Sequence, residues 1–124
     1  MSRTFDPNIA MHRTFEIKTY EVHLARVIKS LTGSATAVIV CKGGAGERFD
    51  LYFSVTSSTV PNNTSDLQMP FGTSWLTPEQ YARYLDLLRN ESPVYATISE
   101  NPEHNTVTTG AEPVGSGELH EGQL

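Results

Sequence analysis

The single cysteine of the chain, Cys41, is the side chain best suited to act as a nucleophile. A thiolate forms at neutral pH only beside a cation or a base, and His23 or His104 would have to supply that base. Cys41, however, ends an apolar run, and free cysteine is among the residue types most often buried. The pattern therefore favours a structural thiol, and we predict no catalytic residue.

A glycine cluster offers a second kind of chemistry, the binding of a phosphate or a nucleotide, through Gly43, Gly44 and Gly46. Its G-x-x-G spacing resembles the loop with which KH domains clamp nucleotides, and Lys42 and Arg48 would add charge. That loop joins two helices, whereas the flanking residues here have strand patterns. A hairpin loop explains the glycines, because they adopt positive φ angles without a steric clash.

Motifs for other chemistries are missing from the sequence, which has no phosphate loop, H-E-x-x-H, C-x-x-C or dinucleotide fingerprint. His120 lies between Glu118 and Glu121 and would hold a metal only loosely, since a closed site needs three or four convergent ligands. We therefore predict neither a metal nor a cofactor.

The elements that position these side chains centre on Thr36–Val55, where two runs rich in β-branched and aromatic residues flank the glycines. The run Ala37–Cys41 is apolar on both faces, which is typical of a central strand. In the second run every other residue is apolar, which is typical of a half-buried strand. A β-hairpin at the centre of the sheet is predicted.

The segment Tyr20–Leu31 has apolar residues within about a 100° arc of a 3.6-residue period, and Thr19 is a suitable N-cap. These features predict a helix. The alternative is a strand, because Tyr20, Val22 and Leu24 also alternate.

The second half of the chain has a better-marked helix at Thr77–Asn90, where Pro78 fits the first turn and Gln80 completes a capping box. After it, Val94–Ser99 alternates as a half-buried strand, and Thr106–Thr109 is predicted to return beside it as a hairpin.

Together these elements predict an α+β fold, in which an antiparallel sheet built on a central hairpin carries one or two helices on one face. Their order is that of a ferredoxin-like (split βαβ) sandwich. If the first helix is a strand, a more strongly curved sheet with one helix replaces it. We expect a flexible arm at residues 1–13, a single domain at 14–109 and a disordered acidic tail at 110–124.

Residues 57–76 are rich in Ser, Thr, Asn and Pro and have no helical period, so they are predicted as a long loop. Leu67, Met69 and Phe71 alternate onto one side of this segment, and Trp75 follows. These four side chains either cover the core or form an exposed apolar edge that binds another chain. They are our candidate partner-binding residues.

The composition of the 124 residues limits the kinds of partner that we expect, since the formal net charge is −5 and the pI is near 5.2. This acidic balance argues against nucleic acid as a partner, because phosphate binding needs a basic surface. The longest aliphatic run, Ala37–Cys41, is too short to cross a bilayer, so no membrane partner is expected. With one cysteine and no secretion signal, we expect a cytoplasmic protein.

We therefore predict a small soluble protein-interaction module of the inhibitor, immunity-type or adaptor kind, which binds through its surface and performs no chemistry. Its partner would be another protein or a second copy of the chain in a homodimer, because an uncovered sheet edge can pair with a second copy. The alternative is a small-molecule-binding domain or a small enzyme with a pocket under the 57–76 loop.

Overall fold

The computed structural model describes residues 11–111, which form eight β-strands, one α-helix and two 3₁₀ turns, at Pro78–Gln80 and Pro102–His104. The fold is of the predicted α+β class, with β-structure dominant. In chain order the elements are β1 (His12–Glu16), β2 (Thr19–Lys29), β3 (Ser34–Lys42), β4 (Arg48–Ser54), β5 (Thr64–Asp66), β6 (Phe71–Leu76), α1 (Tyr81–Asn90), β7 (Val94–Ser99) and β8 (Thr106–Thr109).

The strands form two sheets. The larger sheet has the order β2-β3-β4-β6-β5, in which β4 and β6 run parallel and all other neighbours run antiparallel. The smaller sheet is antiparallel and has the order β1-β7-β8. One face of the larger sheet, the inner face, packs against the smaller sheet and α1. The main core between these layers includes Phe15, Ile39, Phe49, Leu51, Phe53, Leu88 and Ile98.

The predicted central hairpin is confirmed, and its two strands are β3 and β4. Within the described residues only Gly46 has a positive φ angle, of 91°, so it alone of the three clustered glycines needs the freedom that glycine provides. The carboxylate of Glu47 closes the loop by accepting a hydrogen bond of 2.8 Å from the Ala45 backbone N–H. The glycine cluster is thus a hairpin loop between two strands.

The prediction of a helix at Tyr20–Leu31 is wrong, because this segment forms strand β2. Its first half pairs with β3 as far as Leu24, which lies opposite Ala37. A bulge follows, and pairing resumes with Ile28 opposite Ala35. Around the bulge, apolar residues from both faces of the strand follow one another in the sequence at spacings of three and four residues. This spacing resembles the period of a helix.

The ferredoxin-like topology is not confirmed, because β2 replaces the first of its two helices. Within residues 11–111 the chain has one α-helix and two sheets. The structure agrees better with the alternative that the sequence left open, a sheet with one helix.

Residues 57–76 are not a loop throughout, since they contain β5 and β6. Strand β6 lies inside the larger sheet, between β4 and β5. It has no apolar alternation because small residues face the core where the two sheets approach each other. A Cβ atom at Gly72 would lie 2.6 Å from Cδ1 of Ile98, so a larger residue does not fit there without a shift.

The elements after β6 were predicted correctly. Helix α1 begins at Tyr81, after a 3₁₀ turn in which the Thr77 N–H donates to Oε1 of Gln80 at 3.4 Å. Strands β7 and β8 form the predicted hairpin. At the other end of the chain, β1 begins at His12, within the segment predicted as an arm. Residues 1–10 and 112–124 lie outside the described residues, so most of the predicted arm and the acidic tail stay predictions.

A nearly buried asparagine, Asn105, joins the two sheets through four hydrogen bonds. Its Oδ1 accepts bonds from the Ser99 N–H at 2.8 Å and the Ser65 hydroxyl at 3.0 Å. Its Nδ2 donates to the carbonyl oxygens of Thr64, at 3.0 Å, and Thr73, at 3.1 Å. Because both amide protons and both acceptor sites are used, this side chain fixes β7 against β5 and β6.

Candidate functional site

The thiol of Cys41 lies in β3, faces the main core and is fully buried. Burial, with a smaller effect from the charge of Asp50, raises the pKa of Cys41 to about 12, so the thiol stays protonated at neutral pH. His23 lies opposite Val38 on the outer face, whereas Cys41 points to the inner face. The sheet therefore separates the candidate nucleophile from His23, one of its two candidate bases.

The outer face of the larger sheet carries a second, smaller apolar cluster formed by Ala35, Val38, Val40 and Trp75. The rings of Tyr52 and Trp75 stack there, with centroids 4.7 Å apart and planes 14° from parallel. Burial is the main cause that raises the pKa of Tyr52. This cluster is held together by side chains of the sheet itself.

An open pocket of about 410 Å³ lies beside this cluster, where the bulged part of β2 curves over the outer face. Val38 and Val40 contribute apolar walls, and His23, Lys29 and Arg48 contribute polar or cationic groups. Its volume is within the range of small-ligand sites. None of the residues that line it belongs to 57–76, so this pocket is not the one expected under that segment.

Arg48 and the buried Asp50, which both line the pocket, form an ion pair. Nε and Nη2 of Arg48 donate to the two carboxylate oxygens at 2.8 and 2.9 Å, which is a bidentate geometry. The hydrogen bond to Asp50 is the main cause that raises the pKa of Arg48. The guanidinium also lies 5.5 Å from the ring centroid of Phe71. Because both oxygens of Asp50 are bonded, the pair acts first as a structural contact.

The four candidate partner-binding residues do not form one exposed surface. Trp75 is 6% exposed and belongs to the outer cluster, and Leu67 packs against the main core on the other side of the sheet. Phe71 is half-buried under Arg48. Met69 alone is largely exposed, at 60%, in the turn between β5 and β6. Contact of these residues with a partner stays a prediction, and Met69 is the residue most open to it.

An exposed apolar surface that the sequence did not assign to binding lies on β2, which is one of the two outermost strands of the larger sheet. Leu24, where the bulge begins, also lines the pocket on the outer face. Val22 and Leu24 lie opposite Ile39 and Ala37 of the inner face and are 37% and 67% exposed. They lie beyond the part of that face that the smaller sheet and α1 cover. The alternation of Val22 and Leu24 with Tyr20 is the sequence pattern that indicates a strand here. The helical period of apolar residues in the same segment favoured a helix instead.

Charged side chains occupy the opposite face of the same strand. Glu21 lies 3.1 Å from Nζ of Lys42 and 3.4 Å from Nε2 of His23. The hydrogen bond from Lys42 is the main cause that lowers the pKa of Glu21. All three groups are exposed, so these pairs add little to stability. Strand β2 thus has an apolar inner side and a charged outer side.

Two histidines lie near each other on the smaller sheet, where His12 and His104 line a shallow pocket with Thr97 and Ser99. Two ligands do not make a stable metal site. Among residues 11–111, no group of three or more His, Cys, Asp or Glu side chains is arranged to hold a metal ion.

Comparison of the chain with protein-family models, with curated proteins and with solved structures gave no match. No helix in the described part of the chain is long and apolar enough to cross a membrane. The geometry of the residues is therefore the basis for a functional proposal.

Proposed function

We propose that the protein is a small protein-interaction module that performs no chemistry and binds through the outer edge of β2, with which no other strand of residues 11–111 pairs. The observation that carries the proposal is the exposure of Val22 and Leu24 on an outermost strand of 11 residues. Inhibitor, immunity-type and adaptor proteins are the classes that this mode of action fits. A cytoplasmic location agrees with a single thiol that has no disulfide partner.

An exposed strand edge supports binding because its outward N–H and C=O groups can pair with another strand. Proteins usually protect such edges by making them short or charged. The other outermost strands here have five, three and four residues, for β1, β5 and β8. Strand β2 is more than twice as long as any of these and carries apolar side chains at the edge.

The state of the polar groups supports binding rather than catalysis. The thiol of Cys41 is protonated and buried, and the carboxylate of Asp50 is held by Arg48. Every fully buried side-chain nitrogen and oxygen in the described residues has a hydrogen-bond partner. Surface complementarity then accounts for function without an activated group.

The test is co-purification of the tagged protein from its native cells, with the double variant Val22→Lys, Leu24→Lys beside the wild type. We expect the variant to lose bound protein, with affinity about thirtyfold weaker, because removing interface anchors costs about 2 kcal/mol or more. The matched control is Val60→Lys, since Val60 is similarly exposed, at 41%, but lies outside β2.

The wild type and the two variants must have equal unfolding midpoints, because only then can a loss of the bound partner be assigned to the changed surface. Partner retention by the β2 variant would contradict the proposal. If retention is instead lost with Met69→Lys, the interface lies at the turn between β5 and β6, as the sequence predicted for that residue.

The second candidate function is the binding of a small molecule, favoured by the pocket of about 410 Å³ on the outer face. Its apolar floor and the cationic Lys29 suit a small ligand with an apolar body and an anionic group, whereas Arg48 is already paired with Asp50 in the lining. A thermal-shift screen of small carboxylates tests this function, and Val40→Asp should abolish any shift. Absence of any shift across the screen would remove the support for this candidate.

A further inference from the structure

The free edge of β2 is regular over a limited length, and this length restricts how another strand can pair with it. From Thr19 to Leu24 the strand pairs continuously with β3. The bulge between Leu24 and Ile28 then ends the straight edge. A strand that adds to this edge therefore has about six residues to pair with, from Thr19 to Leu24.

We propose that the strand that occupies this edge is β2 of a second copy of the chain, antiparallel to the first, with the two-fold axis passing through Val22. The proposal rests on the proposed function and names its partner. Two-fold pairing of identical edge strands joins the two larger sheets into one continuous sheet and satisfies both edges at once.

The side chains of the inner face match in this register. In an antiparallel pair centred on Val22, each Val22 lies opposite Val22 of the second copy, and Tyr20 lies opposite Leu24 of the second copy. All these positions are apolar, and they are on the face where Val22 and Leu24 are exposed. Pairing covers both of these residues.

The charges of the outer face also match. The same register places Glu21 of each copy opposite His23 of the other, so a carboxylate faces an imidazole on both sides of the axis. An axis through Glu21 would put two carboxylates opposite each other, and an axis through His23 would put Tyr20 opposite Arg26. The pair Lys18 and Arg26 carries like charges opposite each other in the chosen register, but both lie outside the regular segment.

Molar mass by light scattering is the first test, on the full-length chain over a range of concentrations. We expect twice the chain mass of 13.7 kDa for the wild type and for Val60→Lys, and the single mass for Val22→Lys. A wild type that keeps the single mass at its highest soluble concentration overturns the proposal. If that monomer still retains a different protein from cells through β2, the proposed function stands while the second-copy proposal fails. If it retains nothing, both fail.

Oxidative cross-linking tests the register and does not depend on a lysine variant folding. Val22→Cys places two thiols opposite each other on the axis, within the reach of a disulfide. Leu24→Cys leaves its two thiols about 14 Å apart along the strands, at about 3.4 Å per residue, which is too far. We expect cross-linked dimer for Val22→Cys and monomer for Leu24→Cys and Val60→Cys. Cross-linking of Leu24→Cys in place of Val22→Cys would overturn the register.

Discussion

Replacing Asn105 with alanine is expected to lower the free energy of unfolding by about 3 kcal/mol. The substitution leaves three backbone groups between the sheets without their side-chain partner, the Ser99 N–H and the carbonyl oxygens of Thr64 and Thr73. An unpaired buried group costs about 1 to 3 kcal/mol, and the low end of this range applies because the bonds to the Thr64 and Thr73 carbonyls are only partly buried, which gives about 3 kcal/mol for the three groups. The Ser65 hydroxyl can rotate toward another acceptor, so it is left out of this figure.

Urea unfolding followed by the fluorescence of Trp75 measures this loss, because Trp75 is buried and stacked on Tyr52 in the folded protein. A loss of about 3 kcal/mol is a large part of the stability of a domain of this size. The matched control is Asn62→Ala, since Asn62 is an exposed asparagine two residues before β5. Equal losses for the two variants would refute the view that Asn105 fixes the two sheets together.

The variant Asn105→Asp tests the donor half of the same network. It keeps the shape and the Oδ1 acceptor but turns an oxygen toward the carbonyls of Thr64 and Thr73. Repulsion and burial disfavour the carboxylate, so its pKa in the folded state rises above the unfolded value of about 3.9. The variant is then most stable, relative to the wild type, below the unfolded pKa, and loses stability as pH rises through the folded pKa. A stability gap that does not change between acid and neutral pH would contradict the assigned amide orientation.

Two further substitutions test packing and burial. Gly72→Ala should cost about 1 to 3 kcal/mol of unfolding free energy, measured by urea unfolding, because its Cβ overlaps a core side chain. Gly44→Ala should cost far less, because the nearest side-chain atom to its Cβ is 3.8 Å away. Equal costs would contradict the close approach of the sheets. Native Cys41 should resist iodoacetamide at neutral pH until the protein unfolds, and rapid labelling would contradict its burial. Because the folded pKa of Cys41, about 12, lies above the ordinary thiol value of 9.0, the wild type should lose stability as pH rises above 9 by about 1.4 kcal/mol per unit more than Cys41→Ala.

The sequence predicted the elements whose signals are local. The hairpin of β3 and β4 has strand-forming residues on both sides of a glycine turn, and α1 follows a proline and a capping glutamine. These signals depend on neighbours in the chain, so they hold without knowledge of the fold. The fold class followed from them, because it needs only the number and kind of the elements.

The sequence could not predict β6, because the reason for its composition lies in another sheet. Gly72 is required by the approach of Ile98, and Trp75 is buried by Tyr52 across a parallel strand pair. Neither contact leaves a periodic pattern within residues 57–76. The choice of the four candidate partner-binding residues therefore rested on the local pattern alone. In the structure these residues lie on both faces of the larger sheet and in a turn.

The bulge in β2 connects the wrong helix prediction with the proposed interface. Between Leu24 and Ile28, β2 has two more residues than the facing part of β3, and beyond this bulge Ile28 packs with Ala35 in the outer cluster. The resulting spacing of apolar residues in the sequence resembles a helical period. The same bulge shortens the straight edge and so protects the second half of the 11-residue strand from unspecific pairing. The segment that stays available for pairing is Thr19 to Leu24. Its centre lies near Val22, the residue around which the apolar and the charged side chains of two copies are complementary. The bulge that led to the wrong helix prediction is thus also the feature that limits the register in which a second copy can bind.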